Sequence, residues 1–213
     1  MVRSPTYRPL SPAALADEVA GRCRELVDGT APVRVAVDGA EAADPGMLAD
    51  AVAELLRAEG VPVARVSMAD WLRPASLRLE HGRTDEESYR RGWFDLAALD
   101  REVLTPLEPG GTGLWLPTLR DPARDRATRA ERRGAPPGTV LLVDGPMLLG
   151  HWLPFELGVH LHVSAGALLR RTPVEHRWTV PPLLAHEADV GTDELADVLV
   201  RAEHGDRPAL RIG

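Results

Sequence analysis

Apolar residues follow two rhythms along this chain, and the rhythms take turns. Leu15, Val19, Cys23 and Leu26 recur at helical spacing behind Ser11-Pro12, a capping hydroxyl and a first-turn proline, and Gly29 ends the pattern. Val33-Arg34-Val35-Ala36-Val37 then predicts a buried strand leading into Asp38-Gly39 and a loop of small residues. A helix is expected over Leu48–Ala58, a strand over Val61–Ser67 ending at Ala69-Asp70-Trp71, and a short helix near Asp85–Arg91. Leu96–Leu107 reads as a helix closed by Pro109-Gly110-Gly111, Leu114–Leu119 as a strand, and Arg120–Gly138 as irregular. Val140–Val143 is the strongest strand and ends at Asp144-Gly145. Leu157–Val163 follows as a strand, Ala165–Glu175 as a helix, and Val198–Val200 as the last strand. This alternation predicts an α/β domain of three layers, with a mostly parallel sheet covered on both faces. A single domain is expected over residues 1–213, with its N-terminal helix within 1–30 and a lid or substrate-side insertion at 112–138. Ligands of such sheets bind at the carboxyl ends of the strands, where Asp38-Gly39, Ala69-Asp70 and Asp144-Gly145 stand.

Composition narrows the partners. At 213 residues and 44% apolar content the chain can build a substantial core. Its net charge of −7, from 25 basic and 32 acidic residues, argues against a nucleic-acid partner. The arginines of Arg120–Arg133 read as a solvated lid or loop. Every basic residue is arginine, so no lysine can form a Schiff base or clamp a phosphate as a compact ammonium. The single cysteine, Cys23, suits a reducing cytoplasm and reads as a small buried residue. No apolar window of about 18 residues predicts a membrane helix, and Met1–Leu10 has arginines but no apolar run, so no secretion signal is expected.

A strand ending in Val37-Asp38-Gly39, a small-residue loop and a helix have the layout of a phosphate-binding loop. From Val35 to Ala49 the chain resembles the start of the uridine-kinase-like P-loop nucleoside kinases. Ser67-Met68-Ala69-Asp70-Trp71 resembles that family's second-strand segment, Tyr89–Asp95 and the following helix its middle region, and Leu141–Gly145 its Walker-B-like strand. Ala167-Leu168-Leu169-Arg170-Arg171 resembles the lid helix, whose arginines touch phosphates. The likeness covers roughly residues 33–180 in the right order. It implies a three-layer P-loop fold with a small lid, a cleft for a small-molecule ligand, a nucleoside-like alcohol as substrate and, by family analogy, a homo-oligomer.

The family loop is G-x-x-x-x-G-K-[ST]. Gly39 matches its first glycine. Asp44 stands at the second glycine, Pro45 at the lysine and Gly46 at the Ser or Thr. Pro45 has no N–H for a phosphate oxygen, the lysine for the β- and γ-phosphates is missing, and so is the hydroxyl for Mg²⁺. Glu41 and Asp44 add carboxylates where phosphate belongs. Two like charges about 4 Å apart at an effective dielectric of ~20 repel by about 4 kcal/mol, roughly a thousandfold in affinity. Asp44-Pro45-Gly46 is also simply a good helix start; a repurposed loop using Asp38, Glu41 and Asp44 for a cation or hydroxyls is the other reading. ATP and Mg²⁺ are expected as cofactors only if phosphotransfer survives.

On the substrate side the family's catalytic carboxylate falls at Ala69, and Asp70 is one residue later. Asp70 serves either as that base or as a loop-turn carboxylate. Asp144 is the best-preserved acid, implied to bind Mg²⁺ through water or to assist the base. Asp121 and Arg126, with Tyr89, fall where the resemblance puts substrate contacts, and Arg170 and Arg171 where it puts an anion clamp. Asp121 and Arg126 also fit a solvated charge run, and one of the two arginines also fits a surface ion pair. His160 and His162 alternate on one strand and share a face; they would need further ligands to hold zinc, and His176, His186 and Asp189 cannot be assigned to them from sequence. No metal site is assigned, and no G-x-S-x-G elbow is present. The reading adopted is a uridine-kinase-like protein with an altered nucleotide site. An arginine-dependent small-molecule kinase and a repurposed enzyme or ligand- or partner-binding protein remain open beside it.

Overall fold

The computed structural model describes residues 5–212; the start of the Met1–Leu10 segment lies outside that range. Seven strands form one sheet: β1 (Thr6–Pro9), β2 (Val33–Asp38), β3 (Val63–Ser67), β4 (Val140–Gly145), β5 (Leu157–His162), β6 (Val198–Arg201) and β7 (Ala209–Ile212). Their order across the sheet is β1-β7-β6-β5-β2-β4-β3. The five strands from β6 to β3 run parallel, and β7 and β1 close one edge antiparallel. The chain therefore leaves β2 toward both sides of the sheet, and a crevice opens at its carboxyl end.

Every residue of β2 and β4 is buried, as a parallel strand covered on both faces requires. Side-chain alternation splits them between two cores. Val33, Val35, Val37, Val140 and Leu142 face α1 (Pro12–Leu26) and α2 (Pro45–Ala58). Ala36, Leu141 and Val143 face a second layer built from α4 (Leu96–Leu99) and the irregular turns behind it, through Leu99, Val103, Leu104 and Leu107. In α1, Ser11 Oγ accepts the Ala14 N–H at 3.2 Å and Leu15, Val19 and Cys23 face the core. Burial pushes the Cys23 thiol up to about 12, which fits a packing role.

Several boundaries moved for identifiable reasons. The helix expected over Leu96–Leu107 breaks into α4, a π-helical turn at Asp100–Leu104 and a 3₁₀ turn at Thr105–Leu107, where Pro106 offers no N–H. The Leu114–Leu119 strand shrinks to Leu114–Trp115, paired with Arg133–Gly134, because Pro117 cannot continue the ladder. Arg120–Asp121 pairs with Arg126–Ala127, so the 112–138 insertion holds two small ribbons. Thr172-Pro173 ends α5 (Ala165–Arg171) four residues before the expected Glu175. Val198–Val200 is not the last strand; β7 follows it. The helix α6 (Val180–Val190) was not expected, since Pro181-Pro182 reads as a breaker, yet in a first turn proline has no hydrogen bond to lose. α3 (Glu86–Gly92) lies where a short helix was expected, and α7 (Thr192–Leu195) follows α6.

No helix of the described residues is long and apolar enough to cross a membrane. One charged group lies deep in the sheet. Arg34 on β2 has a side chain only 6% exposed; it pairs with Glu156, lies 3.4 Å from Glu108 and donates to the Leu104 carbonyl at 3.1 Å. Glu156 also accepts the Arg34 backbone N–H at 2.6 Å. Removing one partner of such a pair strands the other charge. Glu156→Ala is expected to lower the urea-unfolding free energy by about 3 kcal/mol, and Arg34→Met combined with Glu156→Leu to cost clearly less. Equal losses in the two variants would mean that the pair adds nothing beyond packing.

Candidate functional site

The phosphate-loop position is built by close backbone approach. Gly39 follows β2; its N–H donates to the Gly145 carbonyl at 3.1 Å, and a Cβ there would stand 3.1 Å from Leu161 Cβ. Gly145 has φ 142°, and a Cβ on it would lie 2.5 Å from Met68 Cβ, so only glycine lets β4 end against the turn after β3. Glu41–Ala43 forms a 3₁₀ turn, Glu41 is exposed, and Asp44 follows with φ 56° and ψ 49°. Pro45 is the first residue of α2, earlier than the Leu48 start expected. Asp44 occupies the cap position but its side chain makes no capping hydrogen bond, and its backbone is left-handed where a side-chain cap is extended. Its Oδ2 lies 3.9 Å from Arg171 Nη2, and Arg171 Nη1 donates to the Ala202 carbonyl at 2.8 Å. Arg170, on the same helix, is exposed and forms no ion pair among the described residues.

On the β4 side, Asp144 is 6% exposed. Ser67 Oγ donates to its Oδ2 at 3.0 Å, and Arg65 Nη1 lies 2.8 Å from its Oδ1. Arg65 also pairs with Asp50 at 2.9 Å and reaches the Gly46 carbonyl at 3.4 Å, so it ties β3, β4 and the first turn of α2 together. A Cβ at Gly46 would come within 3.4 Å of Asp144 Oδ2. Asp70 is partly buried in the turn after β3; burial, with Asp144 and Asp121 nearby, raises its pKa. The structure thus brings Asp70 and Asp144 to one place. Asp121 is engaged in its own turn, accepting the Ala123 and Arg124 N–H groups and pairing with Arg124 at 3.0 Å, bonds that hold its pKa low. Arg126 lies exposed on the partner strand of that ribbon. Tyr89 is buried among Trp93, Phe94 and Trp178 with ring centroids 5.2 to 5.9 Å apart, and burial raises its phenol pKa.

On the other side of β2 lies a cluster that the sequence only hinted at. Asp38 and His160 are register partners on β2 and β5. Asp38 Oδ1 accepts the Leu148 N–H at 2.7 Å and Oδ2 meets His160 Nδ1 at 2.6 Å. A carboxylate only accepts, so Nδ1 carries the proton. His160 is fully buried and its Nε2 has no hydrogen-bond partner, although Glu187 Oε1 and Asp193 Oδ1 stand 3.9 and 3.8 Å away. His162 Nδ1 lies 3.2 Å from Asp193 Oδ1. Burial alone would lower the His160 pKa, but Asp38, Glu187 and Asp193 together raise it. His186 does not join them; its Nε2 meets the Leu149 carbonyl at 2.9 Å. Asp189 pairs with Arg90, and His176 is exposed in the segment before α6. Arg65, Glu187 and Asp193 are the residues that sequence reasoning missed. An arginine flanked by apolar residues inside a strand was a usable signal for Arg65; nothing in the sequence ties Glu187 or Asp193 to β5.

The seven-stranded, mostly parallel α/β arrangement matches a P-loop kinase-like fold. Solved structures share it, two of them as follows. A possible uridine kinase from Bacillus stearothermophilus superposes with a TM-score of 0.70 at 15% identity, over 87% of this chain and 97% of that one. A putative fructose transport system kinase from Silicibacter sp. TM1040 gives 0.60 at 24% identity, over 88% and 90%. No protein-family model matches the chain, and no curated protein does. These likenesses show a fold shared with the two structures.

The raised Asp70 pKa has a checkable sign. Its folded-state value lies above the ordinary one, so the ionised group penalises the fold at pH above that folded value and not at pH below the ordinary carboxylate range. Asp70→Asn is expected to stabilise the protein at neutral pH, with the gain vanishing as chemical-denaturation series move to acid pH. A gain independent of pH would show that charge at Asp70 is not its source.

Proposed function

We propose that this chain is a uridine-kinase-like protein of the cytoplasm whose phosphate loop has lost ordinary Mg·ATP phosphotransfer and whose cleft takes a different small ligand. The observation that carries this reading is the backbone at Asp44. Its φ of 56° is the conformation that a loop glycine adopts freely, held here by an aspartate. The loop keeps a glycine's shape at the family's second-glycine position while the side chains around it have changed. Pro45 follows at the lysine position without an N–H, Asp44 lies 3.9 Å from Arg171, and Arg65 occupies Asp144 at 2.8 Å. These residues do not fit a triphosphate with its metal: the anion's place has an acid beside it, and the metal's acid already has a cation. With the Asp44 side chain 60% exposed and near an arginine, the electrostatic penalty is smaller than two bare charges give, and the missing donors weigh more.

A second reading, a small-molecule kinase relying on arginine, is favoured by one feature. Burial, with Asp144 and Asp121 nearby, raises the Asp70 pKa above the ordinary carboxylate value, and Arg170 is exposed. Calorimetric titration with ATP, with and without Mg²⁺, separates the two. No heat up to millimolar ATP is expected; micromolar binding that needs Mg²⁺ would establish the arginine-dependent kinase instead. In the variant carrying Asp44→Gly, Pro45→Lys and Gly46→Ser, ATP binding should appear, since a side chain at position 46 reaches Asp144. Asp44→Gly alone should raise stability by about 0.5–1 kcal/mol in denaturant melts, because glycine relieves the left-handed strain. A loss of stability would mean that the Asp44 contact with Arg171 outweighs that strain.

A further inference from the structure

We propose that His160, His162 and Glu187 hold a divalent transition-metal ion of the zinc class, with Asp193 as a rim donor and Asp38 as the carboxylate that orients His160. One donor atom from each of His160, His162 and Glu187 lies within 4.8 Å of the others. Tetrahedral zinc with bonds of about 2.0–2.1 Å sets its donors about 3.3 Å apart, so the cluster is slightly open. Small rotations of His162 and Glu187, both only partly buried, close it around an ion.

The orphaned atom points the same way. His160 Nε2 is fully buried, has no hydrogen-bond partner, and stands 3.8 to 3.9 Å from two carboxylate oxygens. That spacing is too long for a hydrogen bond and leaves room for a bridging ion. Behind it, Asp38 holds the Nδ1 side of the ring at 2.6 Å, which leaves Nε2 directed at Glu187 and Asp193 as the atom a metal would take in place of a proton. A carboxylate that orients a histidine from the far ring nitrogen is the outer shell a metal-ligating imidazole ordinarily has. The Leu148 N–H holds the other Asp38 oxygen at 2.7 Å, so the carboxylate cannot swing. Two imidazoles with carboxylates suit zinc, iron or nickel, and do not suit Mg²⁺ or Ca²⁺, which prefer oxygen alone. The fold assembles the set from two elements: residues two apart on β5 share a face, and Glu187 comes from the last turns of α6, with Asp193 just past its end.

The site lies on the β5 side of β2 and makes no use of the phosphate loop's donors, so it stands whether or not ATP binds. It is tested on full-length protein without a histidine tag, stripped with chelator and titrated with ZnCl₂ by calorimetry and with CoCl₂ by visible absorption. One equivalent of Zn²⁺ is expected, with ligand-field bands for Co²⁺ in a four- or five-coordinate site. His162→Ala and Glu187→Gln, both partly exposed positions, should each weaken Zn²⁺ at least tenfold, Asp38→Asn by about 10–100-fold, and His81→Ala not at all. The fully buried His160 need not be altered. Absence of stoichiometric Zn²⁺ binding, or unchanged affinity in His162→Ala and Glu187→Gln, overturns the proposal.

Discussion

Val33–Asp38 and Val140–Gly145 are buried along their whole lengths and paired in parallel, so the centre of the sheet offers polar groups no exit except at its ends. Asp38 and Asp144, the acids nearest those ends, are themselves almost fully buried. A polar group buried so deeply needs partners. Asp144 takes Arg65 and Ser67; Asp38 takes His160 and the Leu148 N–H. The architecture at the mouth of the crevice follows from where those partners stand. Arg65 comes from β3 and His160 from β5, on opposite sides of β2, so the topology that opens the crevice also divides its acids into two sets.

Glycine makes the division sharp. The Gly39 N–H donates to the Gly145 carbonyl across the β2–β4 pair; a Cβ on Gly39 would crowd Leu161 at 3.1 Å, and one on Gly145 would collide with Met68 at 2.5 Å. These contacts pull the loop toward β5 and the turn carrying Asp70 toward β4. Asp44 shows how far the neighbouring strands dictate backbone shape. A loop whose flanks are locked by buried strands has few conformations left, so a residue that disfavours positive φ is carried into it.

The sequence made the central strands legible, because β-branched runs bounded by Asp-Gly leave little choice. The family likeness directed attention to the loop, Asp70, Asp144 and the arginines of α5. Edge strands β1 and β7 were not legible: four residues beside Pro9 or Pro208 carry too little pattern. α6 was hidden by Pro181-Pro182, and Glu187 went with it. The His160–Asp38 contact was unreadable for a different reason. It spans 122 residues and depends on a parallel register that only packing decides. His160 and His162 could be seen to share a face, but what that face looks onto is a tertiary fact.

That asymmetry bears on how the cleft works. Both Asp38 oxygens are spent, on the Leu148 N–H and on His160. Freeing Asp38 toward the loop would leave His160 buried with neither ring nitrogen satisfied. The contact is buried and short, so Asp38 is held on the β5 side of β2. Positions 44–46 lie at the start of α2, and the histidine cluster is built on β5 and α6. The two sets of side chains are thus separate in this fold, with Asp38 between them.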